Sequence, residues 1–211
     1  MKEIRATFNS GKIRLEGIAS IPDGGGPFPA VVVCHPHPLY GGDMYNNVVS
    51  VVSVALVQAA IIALRFNFRG VGGSQGEYGG GVGEQDDVRA AIAYLSSIDG
   101  VDPERIGLAG YSAGAGFGIP AACSDGRVKA VATISPPLSM FDFSALFKCR
   151  KPKLLISGSR DDLTPAGKFV EFCGKLPDPK ESGIVEGADH FWWGHESEVA
   201  DRVAGFFVEA L

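Results

Sequence analysis

The stretch that most limits what this chain can become is Arg105-Ile-Gly-Leu-Ala-Gly110-Tyr-Ser112-Ala-Gly114. Ile106, Leu108 and Ala109 form a short apolar run of the kind that makes a buried strand. Gly110 to Gly114 then fits Gly-x-Ser-x-Gly, a tight strand-to-helix turn with a serine at its tip. Such an elbow holds the serine in a strained backbone region, and side chains at the flanking glycines would collide with the neighbouring strand and helix. The small-residue helix expected over Ala113 to Cys123 points its N-terminus at the serine, which favours developing negative charge. In a chain with 29 glycines three fixed positions recur by chance, and a glycine-rich helix cap with a solvated serine is the plain alternative. The partners of Ser112 have to decide.

The rest of the chain reads as strands alternating with helices. Glu3 to Phe8 and Lys12 to Ile21 form an opening hairpin turned at Asn9-Ser10-Gly11. Ala30 to Cys34 is a continuous apolar run, as in a strand covered on both faces, and Ile61 to Phe68 reads as another buried strand. Further strands are expected over Val128 to Ile134, Lys153 to Ser157 and Glu181 to Val185. Helices are expected over Asn47 to Ala60, Glu84 to Ser97, Pro165 to Lys175 and His195 to Leu211. This alternation predicts an α/β fold: one domain over residues 1–211, with a mostly parallel, doubly wound sheet and an antiparallel hairpin at one edge. The segment between Ser135 and Lys151 is too short for a lid domain, so the cleft is expected to be open. Its Met140, Phe141, Phe143 and Phe147 supply either an apolar rim or core.

Serine needs a base to take its proton, and the base is normally a histidine oriented by a carboxylate. In doubly wound hydrolases these follow in the order Ser, Asp or Glu, His. Only His190 and His195 follow Ser112. His190 is preferred because its loop leaves the last strand. Asp161 is preferred over Asp162 as the first acid off its strand, and Asp189, adjacent to His190, is a third candidate.

Several classes are disfavoured. A formal net charge of −5 and the lack of a Lys/Arg run argue against a nucleic-acid partner. Val48 to Leu64, the longest apolar segment, is too short and too interrupted to span a bilayer of ~30 Å. Met1 to Ile4 begins a strand rather than a signal peptide, and Cys34, Cys123, Cys149 and Cys173 lack zinc or disulfide spacing, so a cytoplasmic protein with reduced thiols is expected. Neither glycine-rich stretch completes Gly-x-Gly-x-x-Gly, since Gln75 and Ile119 hold the third-glycine positions. The loop with eight glycines from Gly70 to Gly83 is instead expected to border the cleft and move. Arg69 is expected either to meet an acidic substrate group or to form an internal salt bridge to Glu77 or Asp86.

Six segments together resemble the α/β-hydrolase superfamily over essentially the whole chain. They are His35-Pro-His-Pro-Leu-Tyr-Gly-Gly42, Phe66-Asn-Phe-Arg-Gly-Val-Gly-Gly-Ser74, Asp102-Pro-Glu-Arg105, Gly110-Tyr-Ser-Ala-Gly114, Gly158-Ser-Arg-Asp161 and Gly187-Ala-Asp-His190. More narrowly, the chain is similar to small bacterial hydrolases of the dienelactone hydrolase and carboxylesterase type. The resemblance implies a Ser112, Asp161, His190 triad acting on a small-molecule ester, with no cofactor. Dienelactone hydrolases proper use cysteine where this chain has Ser112, which counts against the lactone itself as substrate. An oxyanion hole is expected from the backbone N–H groups of Ala113 and His37, with Leu39 second, because Pro36 and Pro38 have none. Expected substrate contacts are Leu39, Tyr40, Tyr111 and Trp192; core packing is the competing role for one of Trp192 and Trp193. His35 and His37 also form a His-x-His pair, but Leu39 and Tyr40 stand where a metal site of that kind wants further ligands, so no metal is expected. His35 is instead given a structural hydrogen bond. The oligomeric state is left open.

Overall fold

The computed structural model describes all 211 residues. Eight strands form a single sheet: β1 (Lys2–Ser10), β2 (Ile13–Ile21), β3 (Phe28–Cys34), β4 (Ile62–Phe66), β5 (Val101–Tyr111), β6 (Val128–Ile134), β7 (Lys153–Gly158) and β8 (Lys180–Val185). Their spatial order is β1-β2-β4-β3-β5-β6-β7-β8. β2 is antiparallel to both its neighbours and every other pairing is parallel. The expected parallel sheet with an antiparallel N-terminal hairpin is therefore present. The hairpin turn falls at Gly11 and Lys12, because Ser10 pairs with Ile13.

Five helices cover the sheet: α1 (Asn47–Gln58), α2 (Val82–Leu95), α3 (Ala113–Ser124), α4 (Ala166–Gly174) and α5 (Glu196–Ala210). α1 and α5 bury one sheet face, and α2, α3 and α4 bury the other. The run Ala30 to Cys34 shows why central strands are apolar throughout. Val31 and Val33 pack under α1 and α5, while Ala30, Val32 and Cys34 pack under the opposite helices. No helix is long and apolar enough to cross a membrane; Val48 to Leu64 is α1 running into β4.

The strand order places the site. The chain leaves β3 for β4 on one side, then crosses back to β5 on the other. The loop after β3 and the turn after β5 therefore diverge from adjacent strand ends, opening a crevice at the carboxyl edge.

The glycine-rich loop is tied down rather than free at the cleft edge. The buried Glu84 carboxylate accepts the Gly79 and Gly81 N–H groups at 2.8 and 2.7 Å, and Glu16 accepts that of Gly73 at 2.6 Å. Arg69 pairs internally, but with Asp87 rather than Glu77 or Asp86, at 2.7 and 3.0 Å. The helical period explains the choice: Asp87 lies on the buried face of α2 beside Glu84 and Val88, whereas Asp86 faces outward and pairs with Arg89.

Candidate active site

Ser112 sits between β5 and α3 with φ 53° and ψ −123°, the strained elbow its sequence predicts. A Cβ on Gly110 would lie 2.5 Å from the Ala115 Cα, and one on Gly114 would lie 2.5 Å from the His35 carbonyl oxygen. Both obstacles are backbone, so neither position tolerates a side chain without moving the elbow.

His190 lies in the loop between β8 and α5. Its Nε2 is 2.9 Å from the Ser112 hydroxyl, and its Nδ1 is 2.9 Å from each oxygen of Asp161. The backbone carbonyl of His190 accepts the Tyr111 hydroxyl at 2.7 Å, which pins the loop to the end of β5. Asp161 is only 2% exposed. Its Oδ1 accepts the N–H groups of Leu163 and Thr164 at 3.0 and 2.9 Å. Burial pushes this carboxyl up, but the His190 hydrogen bond and charge, with help from Ser135 and Thr164, outweigh it and hold it below the usual range. An ionised Asp161 fixes the proton of His190 on Nδ1 and leaves the Nε2 lone pair facing Ser112.

The other candidates lie elsewhere. Asp162 is exposed. Asp189 accepts the Phe191 N–H at 2.9 Å, and His195 caps α5 with Nδ1 3.9 Å from Glu198.

The backbone N–H groups expected to receive an oxyanion differ in whether they already have a partner. Ala113 opens α3, so its N–H has no helical partner. In the loop after β3, the N–H groups of Tyr40, Gly41 and Gly42 are spent on His37 and Pro38 carbonyls. Leu39 donates its N–H to His37 Nδ1 at 3.2 Å. His37 is then the cleft-lining residue of this loop whose N–H meets no protein acceptor.

His35 is wholly buried. Its Nδ1 donates to the Pro36 carbonyl at 2.6 Å and its Nε2 accepts the Phe68 N–H at 3.1 Å, so both nitrogens are spent on holding the loop. Burial pulls its pKa down to about 4, only partly opposed by the Pro36 carbonyl and the Asp43 charge. Between the ordinary histidine value of about 6.5 and 4, the unfolded chain binds the extra proton. Stability is therefore whole above that window and falls as pH drops through it. Urea midpoints should decline between pH 7 and pH 4.5. His35→Gln, which offers an acceptor to Phe68 without titrating, should flatten that decline; equal slopes would contradict this role.

A cleft of about 520 Å³ opens over Ser112 and His190. Tyr40, Met140, Phe141, Leu163 and Phe191 wall it, and no Lys, Arg, Asp or Glu lines it. Of the residues expected to contact substrate, Tyr40 and Tyr111 line the cleft. Leu39 does not: it sits on a one-turn 3₁₀ helix with its side chain in solvent, 66% exposed. Trp192 does not either. It is 0% exposed, packed in the core under α1 and α5, and its indole N–H donates to the Ser135 hydroxyl at 3.1 Å. The wall at that edge is Phe191, which the residue pattern alone did not single out although it adjoins His190. Leu163 was missed likewise; it follows the acid strand by five residues. Phe143 is core, and Phe147 packs on Phe172 at 5.6 Å.

Comparison with known proteins agrees with this architecture. A family model described as X-Pro dipeptidyl-peptidase (S15 family) matches residues 11–148. An uncharacterized protein of Rickettsia prowazekii is 32% identical, over 95% of this chain and 87% of its own. An α/β serine hydrolase homologue from Coxiella burnetii superposes with a TM-score of 0.88 at 32% identity, covering 97% of each chain. An α/β serine hydrolase without lid from Xanthomonas campestris gives 0.86 at 27% identity, over 98% of this chain and 94% of that one. By sequence and by fold, the chain belongs to the α/β serine hydrolases, within the family that the S15 model describes.

Proposed function

We propose that this protein hydrolyses carboxylic esters or thioesters of small to medium acyl groups through a Ser112–His190–Asp161 triad. The observation that carries the reading is the unbroken relay of 2.9 Å contacts from the Ser112 hydroxyl through His190 to Asp161 at the floor of an open cleft. His190 Nε2 takes the hydroxyl proton as Ser112 attacks the carbonyl carbon. Asp161 stabilises the imidazolium, and the Ala113 and His37 N–H groups receive the oxyanion. Collapse of the tetrahedral intermediate breaks the bond to the leaving group, which takes the proton from His190. Water then attacks the acyl-enzyme by the same relay and regenerates Ser112. None of these steps calls on a metal or cofactor. The four free cysteines fit a reducing, cytoplasmic setting.

The S15 family model favours a second reading, cleavage of peptide bonds. A dipeptidyl substrate brings an α-ammonium group close to the scissile carbonyl, and the charge-free cleft wall offers it no carboxylate. Leaving-group profiling separates the two. The kcat/KM for p-nitrophenyl butyrate is expected to exceed that for Ala-Pro-p-nitroanilide by about 10³ or more, a difference of ~4 kcal/mol in barrier. Faster turnover of the anilide would establish the peptidase instead.

A further inference from the structure

The ring of His37 lines the cleft but has no part in the relay. Its Nδ1 accepts the Leu39 N–H at 3.2 Å, capping the one-turn helix Pro38–Tyr40. A ring nitrogen that accepts carries no proton, so the proton of the neutral ring sits on Nε2. Burial pulls the pKa of His37 below the ordinary histidine value, against the Glu84 charge, so the ring is neutral at pH 7. Four aromatic rings surround it, with centroids at 4.9 Å (Tyr40), 5.0 Å (Tyr78), 6.1 Å (Phe117) and 6.4 Å (Phe141). Phe141 is itself pressed onto α3, where a Cβ on Gly116 would lie 2.4 Å from its ring. The Nε2–H of His37 meets no protein acceptor. The buried side-chain atoms without a partner are Arg65 Nε and Thr133 Oγ1 alone, so this N–H is open to the cleft. The other polar side chains there are engaged or stand in solvent. Ser112 and His190 form the relay, Tyr111 donates to the His190 carbonyl, Asn46 Oδ1 caps α1, and Tyr40 is 80% exposed.

The sheet order decides which part of an ester meets this donor. β3, which leads to His37, lies on one side of β5; β7 and β8, which lead to Asp161 and His190, lie on the other. A leaving oxygen must sit by His190 Nε2 to take its proton. The acyl chain is left with the opposite side of Ser112, walled by His37, Tyr40 and Phe141. We infer that the His37 Nε2–H is a specificity-determining donor for an uncharged oxygen on the third carbon of the acyl chain, so that the substrates are esters of 3-hydroxy, 3-alkoxy or 3-oxo acids rather than of plain alkanoic acids. This rests on the ester reading above. The backbone N–H of His37 receives the carbonyl oxygen and its ring receives the second oxygen, so one residue addresses two oxygens of one acyl group. The apolar surroundings give the donor its selectivity, because an acyl chain without that oxygen leaves Nε2–H desolvated and unpaired. No Lys or Arg lines the cleft, which fits a neutral oxygen rather than a carboxylate.

The test compares kcat/KM within two pairs of p-nitrophenyl esters of matched shape, 3-hydroxybutyrate with 3-methylbutyrate and 3-methoxypropanoate with pentanoate. It uses wild type, His37→Asn and His37→Phe. Asparagine keeps a capping acceptor for the Leu39 N–H, and phenylalanine keeps a ring among the aromatic neighbours. Both lose the Nε2 donor and keep the backbone N–H. The wild type should favour the oxygenated ester of each pair about tenfold more than either variant does. Intrinsic ester reactivity, and any change at the oxyanion contact, cancel in that ratio. A ratio unchanged in both variants would overturn the inference. A fall in one variant alone would assign the effect to the cap or to the aromatic packing and overturn it as well. A second readout needs no turnover. In Ser112→Ala, 4-hydroxypentan-2-one should move the nitrogen-15 NMR shift of His37 Nε2, and 4-methylpentan-2-one should not. Equal responses to the two ketones, or a ring proton found on Nδ1, would also contradict the assignment. The triad reading fails separately, if Ser112→Ala turns over ester like wild type; the ketone titration decides the role of His37 in either case.

Discussion

Ser112→Ala should lower kcat for p-nitrophenyl butyrate by about 10⁴-fold or more while leaving the fold intact. The size follows from what is lost. In the proposed mechanism the hydroxyl is the attacking atom, so its removal abolishes the acyl-enzyme route rather than weakening one contact. Residual turnover would come from the oxyanion donors and from binding in the cleft, which the substitution does not touch. The fold should survive because Ser112 holds its place through its backbone N–H on the Ile134 carbonyl, at 2.8 Å, not through its side chain. Alanine at φ 53° keeps a strained backbone, but serine bears the same strain. Circular dichroism and a thermal melt on the same sample check that point. A variant within tenfold of wild type would remove Ser112 from the chemistry.

Asp161→Asn should cost about 10³- to 10⁴-fold in kcat, whereas Asp162→Asn should change it less than about twofold. The first effect is one of tautomer. Oδ1 of Asp161 receives two backbone N–H groups, so an asparagine must leave its carbonyl oxygen there. The amide NH₂ then occupies the Oδ2 position, 2.9 Å from His190 Nδ1. That donor, with the loss of the carboxylate charge, favours the tautomer in which Nδ1 accepts and the ring proton sits on Nε2 facing the Ser112 hydroxyl, against the amide oxygen that still lies 2.9 Å from Nδ1. The base is occupied by its own proton. Asp162 makes no such contacts and is exposed. Steady-state kinetics of the two variants side by side test the assignment; equal losses, or a larger loss at Asp162, would reverse it.

Much of this arrangement was legible in the residues, because the features concerned are local and physically demanding. Gly110 and Gly114 mark an elbow that no larger residue permits. The apolar run at Ala30 to Cys34 leaves few alternatives to a strand buried on both faces. The order Ser112, Asp161, His190 follows from which strand ends can carry them. What the residues hid depends on direction. Trp192 and Phe191 are neighbours with similar apolar character, and only the chain's turn after His190 decides that one enters the core and the other the cleft. Arg69 had three nearby carboxylates within reach, and the phase of α2 selects Asp87. The glycine-rich loop looked free because glycine is flexible, yet the acceptors that hold it, Glu16 and Glu84, belong to β2 and to α2. Ser135 carries no motif at all, and its place at the end of β6, between β5 and β7, emerges only from the sheet order.

The most direct test of the central claim is covalent labelling with a fluorophosphonate, read by intact mass and peptide mapping. The relay from Asp161 through His190 predicts one adduct per chain, on the peptide containing Ser112, absent from Ser112→Ala and strongly slowed in Asp161→Asn. No adduct on the folded wild-type protein, or an adduct on a different residue, would contradict it.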